Sequence, residues 1–430
     1  MPGFWSPAPG WTISWRGWNS MRIAVIGAGA SGCFFAVEAK RRIPEAELTV
    51  YEAGRKPMAK LALTGGGRCN ITNTFESVVS LSRVYPRGDK YMKRALKCFG
   101  PGDVLRWFEA EGVRFVSQPD GCVFPESQDA MQIVRTLERL MRQLGIRVEC
   151  GRRAVRLHCP GAGSPADCGA GAFVLEFSDG SRESADKVLL ASGGSSAAFL
   201  RNMLPESVEI VPTVPSLFTF RVSDEKLHAL MGTVVENAAT GIAGTSFRSE
   251  GTLLITDWGF SGPAALKLSS YAARYLAEHG YEAPLLVNWC GCPESVVRAW
   301  LADAAESNPR RQLGGIRPAG ITARLWEFLL ARAGIRAEMR WAELGTKVTN
   351  RLASVLTADS YGICGRTAFK EEFVTCGGVA LSSVDPGTLE CRSVPGLYFA
   401  GEVLDIDAVT GGFNLQAAWS CAHVAAGALK

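Results

Sequence analysis

The chain has 430 residues, 47% of them hydrophobic and 20% charged, an ordinary globular composition that excludes a disordered, collagenous or bare coiled-coil protein. With 46 Lys and Arg against 42 Asp and Glu the net charge is only +4, and no block of basic residues signals a nucleic-acid footprint. Thirteen cysteines, an odd number scattered along a long chain, read as reduced thiols of a cytoplasmic protein rather than as a secreted disulfide framework.

At roughly 150 residues per domain, the length predicts two or three domains. The first twenty residues hold Trp5, Trp11, Trp15 and Trp18 among Pro and Gly, with neither the basic start nor the apolar run of a secretory signal. We expect 1–20 to be a non-native or disordered extension and Met21 to be the natural start. No apolar stretch reaches 18 residues, so neither a transmembrane helix nor a membrane partner is expected.

Residues 22–26 read as a buried strand, followed by a glycine turn and a helix over 30–41. A second strand, 48–51, ends at Glu52, which completes a strand–helix–strand unit. A glycine-rich loop, 63–68, comes next, then helices near 102–111 and 128–144. Short strands at 146–150, 153–159, 172–178 and 187–191 predict an antiparallel meander, with a flexible loop at 160–171. From 196 to 370 the pattern changes to short strands (217–222, 252–256, 284–289) and helices (262–278, 294–305, 319–333, 341–357). Strand–turn–helix character returns at 397–400, with a final helix from about Gly412. The outline predicts an α/β fold: a Rossmann-like domain built from 21–195 and 371–430, with an α+β substrate or cap domain, 196–370, inserted.

Gly27-Ala28-Gly29-Ala30-Ser31-Gly32 lies between a strand and a helix. Its first glycine permits the tight turn, its second admits a pyrophosphate to the backbone, and its third allows close helix–strand packing. The helix N-terminus then offers free N–H groups to phosphate. Glu52, twenty residues past Gly32, is placed to accept both ribose hydroxyls of an adenosine. This unit serves FAD and NAD alike. The meander, and the terminal Gly396-Leu397-Tyr398-Phe399-Ala400-Gly401-Glu402, where an acid follows a strand and precedes a helix, favour the flavin.

Further segments carry a resemblance: 60–73 (KLALTGGGRCNITN), 121–127 (GCVFPES), 259–263 (GFSGP), 373–379 (FVTCGGV), 401–405 (GEVLD) and 410–417 (TGGFNLQA). From about Met21 to Lys430 the sequence resembles the flavoprotein family that includes aminoacetone oxidase and the bile-acid enone reductases, built on a glutathione-reductase-type fold. The resemblance implies non-covalent FAD. It implies that Gly27, Gly29, Ala30, Ser31, Gly32, Glu52 and Ala53 hold the ADP half. Thr64, Gly65, Gly66, Gly67, Arg68, Cys69 and Asn70 would run beside the flavin and pyrophosphate. Glu402, next to Gly401, would reach the ribityl region, and Thr410, Gly411, Gly412, Asn414 and Leu415 would meet the isoalloxazine edge. Val155, Ser192, Gly193 and Gly194 complete the expected cofactor set. Arg68 would supply a cation to the flavin or to the substrate.

Three departures stand out. Ser195-Ser196-Ala197-Ala198-Phe199 replaces a glycine-rich stretch of many relatives, Asp257 stands where His is expected, and Cys122 where Arg is common. Cys290-x-Cys292, Cys364 and Cys376 complete no metal set, so no metal is expected. Cys69 and Cys376 read as packing residues near the flavin. No catalytic residue emerges from the spacing, and the lack of a second G-x-G-x-x-G leaves NAD(P)H only as a transient reductant.

The function expected is that of an FAD-dependent oxidoreductase with a small-molecule substrate. It either oxidises an amine at the expense of oxygen or reduces an electron-poor C=C bond with electrons from NAD(P)H. The alternatives are a flavin-dependent RNA-modifying protein and a non-catalytic flavin redox sensor. The sequence carries no indication of the oligomeric state.

Overall fold

The computed structural model describes residues 20–160, 172–367 and 374–429. The expectations for residues 1–19, for the loop at 161–171 and for the joint near 370 lie outside the described residues.

A five-stranded parallel sheet forms the centre, in the order 397–399, 187–190, 22–26, 47–52, 147–150. Arg22–Ile26 is central because both its faces are apolar, the pattern of a strand covered on two sides. Helix Ala30–Arg42 crosses from it to Glu47–Glu52 and ends in Lys40, Arg41 and Arg42, cations suited to the helix C-terminus. The C-terminal helix Phe413–Gly427 packs against Ala30–Arg42, so the two ends of the chain share one core.

The strands between 146 and 191 are not one meander. Arg147–Cys150 and Lys187–Leu190 pair in parallel within the central sheet, and only Ala154–His158, Phe173–Phe177 and Arg182–Ala185 form the antiparallel meander. The crossover rule explains this. A parallel strand needs a long connection, and helix Ala130–Gln143 supplies one before Arg147.

A second core begins at Phe218 and ends at Ile363. Leu200, Met203, Leu204 and Val208 belong to the first core, so the stretch just after residue 196 packs with the dinucleotide-type sheet. The second unit is a closed six-stranded barrel, in the order 220–222, 259–261, 248–256, 234–242, 282–288, 359–366, with helices packed against it. Closure removes the exposed edges that an open sheet would carry. Three barrel strands are absent from the sequence expectation, Val234–Ile242, Gly259–Ser261 and Asp359–Arg366. The expected helix 262–278 breaks at Ala272 into Pro263–Tyr271 and Ala273–Glu278, and the helix expected from 341 starts at Thr346.

The helix interface of the first core holds one buried carboxylate. Glu38 is 7% exposed, and it accepts from Trp107 Nε1 at 2.9 Å, lies 2.8 Å from His423 Nδ1 and 3.2 Å from Arg42 Nη2. Burial opposes its ionisation, but the His423 and Trp107 hydrogen bonds and the His423 and Arg42 charges outweigh it, and its pKa falls to about 2. A depressed acid pKa stabilises the fold above the unfolded-state value, and that gain is lost as pH falls toward the folded one. Glu38→Gln is therefore expected to lower stability by about 2–3 kcal/mol at pH 7. The deficit relative to the wild type should shrink between pH 5 and pH 3 in urea titrations, and a pH-independent deficit would contradict this account.

Candidate functional site

The glycine turn behaves as its spacing requires. Gly27 has φ +105°, and a Cβ there would lie 2.4 Å from Ala191 O, while a Cβ on Gly32 would lie 2.0 Å from Gly27 O. Gly29 differs: no atom lies within 4 Å of its would-be Cβ, so the turn is open on that side. Next to it Ser31 is 6% exposed and its Oγ has no hydrogen-bond partner. An orphaned buried hydroxyl beside an open helix N-terminus fits a pyrophosphate.

Glu52 ends its strand with both oxygens engaged, Oε2 accepting from Ala28 N at 2.9 Å and Oε1 from Gly54 N at 2.7 Å. Those bonds hold the carboxylate beside the glycine turn, with exposed Ala53 adjacent. Arg152 N donates to Glu52 O at 2.9 Å, which brings the meander strand that carries Val155 alongside. Ser192 packs against Gly27, and Gly193-Gly194 continue toward Glu402. A Cβ on Gly194 would lie 2.7 Å from Glu402 Oε1, so glycine is needed for that approach. Glu402 accepts from Thr375 N at 2.8 Å. Burial raises its pKa, against the lowering effect of the Lys60 charge and of the Thr375 and Gly194 backbone hydrogen bonds. Gly401 stands over Ser31, 3.0 Å from Ser31 Cβ to its would-be Cβ.

The loop 64–70 starts from a helix that opens at Ala59. Thr64 leaves helical geometry, and Gly65, Gly66 and Gly67 take φ values of +59°, +67° and +84°. Nothing lies within 4 Å of a Cβ on Gly66 or Gly67, so this backbone also faces open space. Arg68 donates from Nε to Gly65 O at 3.1 Å and stacks 4.3 Å above the Phe124 ring. Burial pushes the Cys69 thiol up to about 12 and the Cys122 thiol to about 11, so neither is a ready thiolate.

The two glycine-rich motifs hold each other. With its amide oriented to suit both neighbours, Asn70 accepts from Gly412 N at 3.1 Å and donates to Thr72 O at 2.9 Å. Asn73 Nδ2 donates to Gly411 O at 3.0 Å, and Thr72 Oγ1 to Gln416 Oε1 at 2.5 Å. Asn414, expected at the flavin edge, turns its side chain back on Ala408, accepting from its N and donating to its O, each at 2.9 Å. Its neighbours Thr410, Gly411, Gly412 and Leu415 remain partly exposed at the start of the last helix. Thr72, Asn73 and Gln416 lie within the quoted motifs, yet spacing alone gave them no role. Thr375 and Lys60, which face Glu402, also went unassigned.

Among the described residues no cluster of His, Cys, Asp or Glu could hold a metal, and no helix is long and apolar enough to cross a membrane. The open backbone at Gly29, Gly66 and Gly67 and the orphaned Ser31 hydroxyl, with Glu52 beside the glycine turn, fit an extended dinucleotide.

The chain is 29% identical over 419 residues to the 3-dehydro-bile acid delta(4,6)-reductase of Clostridium scindens, covering 94% of this chain and 98% of that protein. It is 29% identical over 415 residues to the ribosomal RNA dihydrouridine synthase of Escherichia coli, covering 94% and 96%. Among solved structures, the 3-ketosteroid delta1-dehydrogenase of Sterolibacterium denitrificans aligns with 95% of this chain and 99% of that one, at 13% identity and a TM-score of 0.48. The model of the family described as "HI0933-like protein Rossmann domain" matches residues 21–428, and the chain belongs to this family of FAD-dependent oxidoreductases.

Proposed function

We propose that the protein reduces a carbon–carbon double bond conjugated to a carbonyl in a small molecule, with FAD as the bound carrier and NAD(P)H as the electron source. The carrying observation is that two relatives, equally similar over nearly the whole chain, bear names that describe this one chemistry. A 3-oxo steroid with ring double bonds and a uracil ring both present C=C in conjugation with C=O. Neither name describes amine oxidation.

When bound, FAD would supply the hydride-transfer chemistry that saturates the conjugated double bond, with NAD(P)H as the electron source. The chain's part is to bind and orient. Gly29 and the first turn of helix Ala30–Arg42 receive the pyrophosphate, with Ser31 Oγ as a further donor, and Glu52 takes the ribose hydroxyls. Glu402, Thr375 and Gly194 fix the middle of the cofactor path, and the 410–412 turn borders the ring. Arg68 has no carboxylate partner among the described residues, and we assign it to cofactor binding. Arg68→Ala is expected to weaken FAD binding by about 10- to 100-fold, the equivalent of one charge-assisted hydrogen bond, with the flavin potential unchanged. A shifted potential at unchanged affinity would instead put this cation at the pyrimidine end of the ring.

One observation favours a second reading, uridine in RNA as substrate. Lys90, Lys93, Arg94 and Lys97 line the exposed face of helix Asp89–Cys98 without an ion-pair partner among the described residues. The test is anaerobic. The purified protein is reduced by NADH or NADPH, followed at the flavin absorption, and then offered a 3-oxo-4,6-diene steroid or a ribosomal RNA fragment, while a separate sample with oxidised flavin is offered a primary amine. Reoxidation by the steroid is the expected result. Reoxidation by RNA alone would select the second reading, and reduction of the flavin by the amine would overturn both.

A further inference from the structure

The strip 405–409, immediately before the 410–412 turn, is gripped from both units. On the side of the first core, Val409 N donates to Val84 O at 2.9 Å, and Arg87 Nε donates to Asp407 Oδ1 at 2.6 Å. Ser216 Oγ adds a bond to Asp407 Oδ2 at 3.0 Å. From the barrel unit, the helix pair Pro263–Tyr271 and Ala273–Glu278 reaches across. Ser270 O accepts from Arg87 Nη1 at 2.7 Å, Tyr271 OH donates to Arg83 O at 2.8 Å, and Arg274 Nη2 lies 2.8 Å from both oxygens of Asp405.

The two Arg–Asp joints differ in kind. The Asp407 and Arg87 side chains are 0% and 11% exposed, whereas those of Asp405 and Arg274 are 15% and 44% exposed. The inner joint is locked, because parting it would strand a buried charge. The outer one faces water, where an ion pair is weak enough to part and re-form. Movement of the strip has a defined route, since Ala408 is tied through both N and O to Asn414 in the first turn of the last helix.

We infer that Arg274 is a positioning residue: its pair with Asp405 registers the barrel unit against the 410–412 turn and keeps the substrate side closed over the flavin edge. The inference rests on the proposed readings that this turn borders the ring and that the barrel unit forms the substrate side. Loss of the pair leaves the barrel unit anchored through Arg87 but freer to swing, and the flavin edge more accessible.

The test uses FAD-loaded protein and iodide quenching of flavin fluorescence, a readout independent of turnover. Arg274→Ala and Asp405→Asn should each raise the quenching constant about two- to fivefold, the population shift expected when a half-exposed ion pair is lost. FAD content and thermal midpoint should stay at wild-type values. Arg274→Asp combined with Asp405→Arg should return quenching toward wild type, and Arg274→Lys should fall between wild type and Arg274→Ala. Unchanged quenching in the single variants, or a charge-swapped protein no better than they are, overturns the inference while the cofactor reading stands. A wild-type protein that retains no FAD overturns both.

Discussion

Glu52→Ala is expected to weaken FAD binding by about one to three orders of magnitude, since each hydroxyl bond to a carboxylate contributes roughly 1.5–3 kcal/mol. The structure adds a second route to that loss. Glu52 also accepts from Ala28 N and Gly54 N, so its removal frees two donors beside the glycine turn. Glu52→Gln keeps one acceptor oxygen and should lose less. Glu52→Arg should lose more, unless the true ligand carries a ribose 2′-phosphate. Reconstitution of apoprotein with FAD, followed by flavin fluorescence, measures all three. Unchanged affinity in Glu52→Ala would reduce this carboxylate to a cap on neighbouring backbone.

Asp407→Ala should be strongly destabilising. It leaves Arg87, whose side chain is 11% exposed, without its carboxylate, and breaking a buried pair from one side costs about 3–5 kcal/mol. Ser216 Oγ loses its acceptor in the same step. Asp405→Asn, at the exposed joint, should change stability by less than about 1 kcal/mol. Urea titration of the two variants side by side checks the contrast, and equal effects would mean that burial does not separate the two joints.

Much of the first unit was legible because its signals are local. The apolar run 22–26, the turn 27–32 and the acid at the end of the next strand each encode their geometry within a few residues, and backbone sterics leave glycine little choice at Gly27 and Gly32. The barrel was harder to read. Asp359–Arg366 does alternate, with Asp359, Tyr361 and Ile363 inward, but a charged first inward residue and two glycines hide the pattern. Asp359 is tolerated there because Arg332, Trp289 and Tyr361 satisfy it, partners 27 and 70 residues away for the first two. In Val234–Ile242 a register shift between Val235 and Ala238 breaks the period of two.

At the site itself, the sequence determined where glycine backbone lies, at 27–32, 65–67 and 411–412, positions that need no partner to be recognised. Which side chains hold that backbone in place was decided only by tertiary contact. Asn70 meets Gly412, Thr72 meets Gln416, and Asp405 and Asp407 meet Arg274 and Arg87, across separations of 131 to 344 residues. A hydrogen bond between side chains so far apart leaves no periodic trace along the chain. Its existence depends on the fold first bringing both partners out of water to the same place.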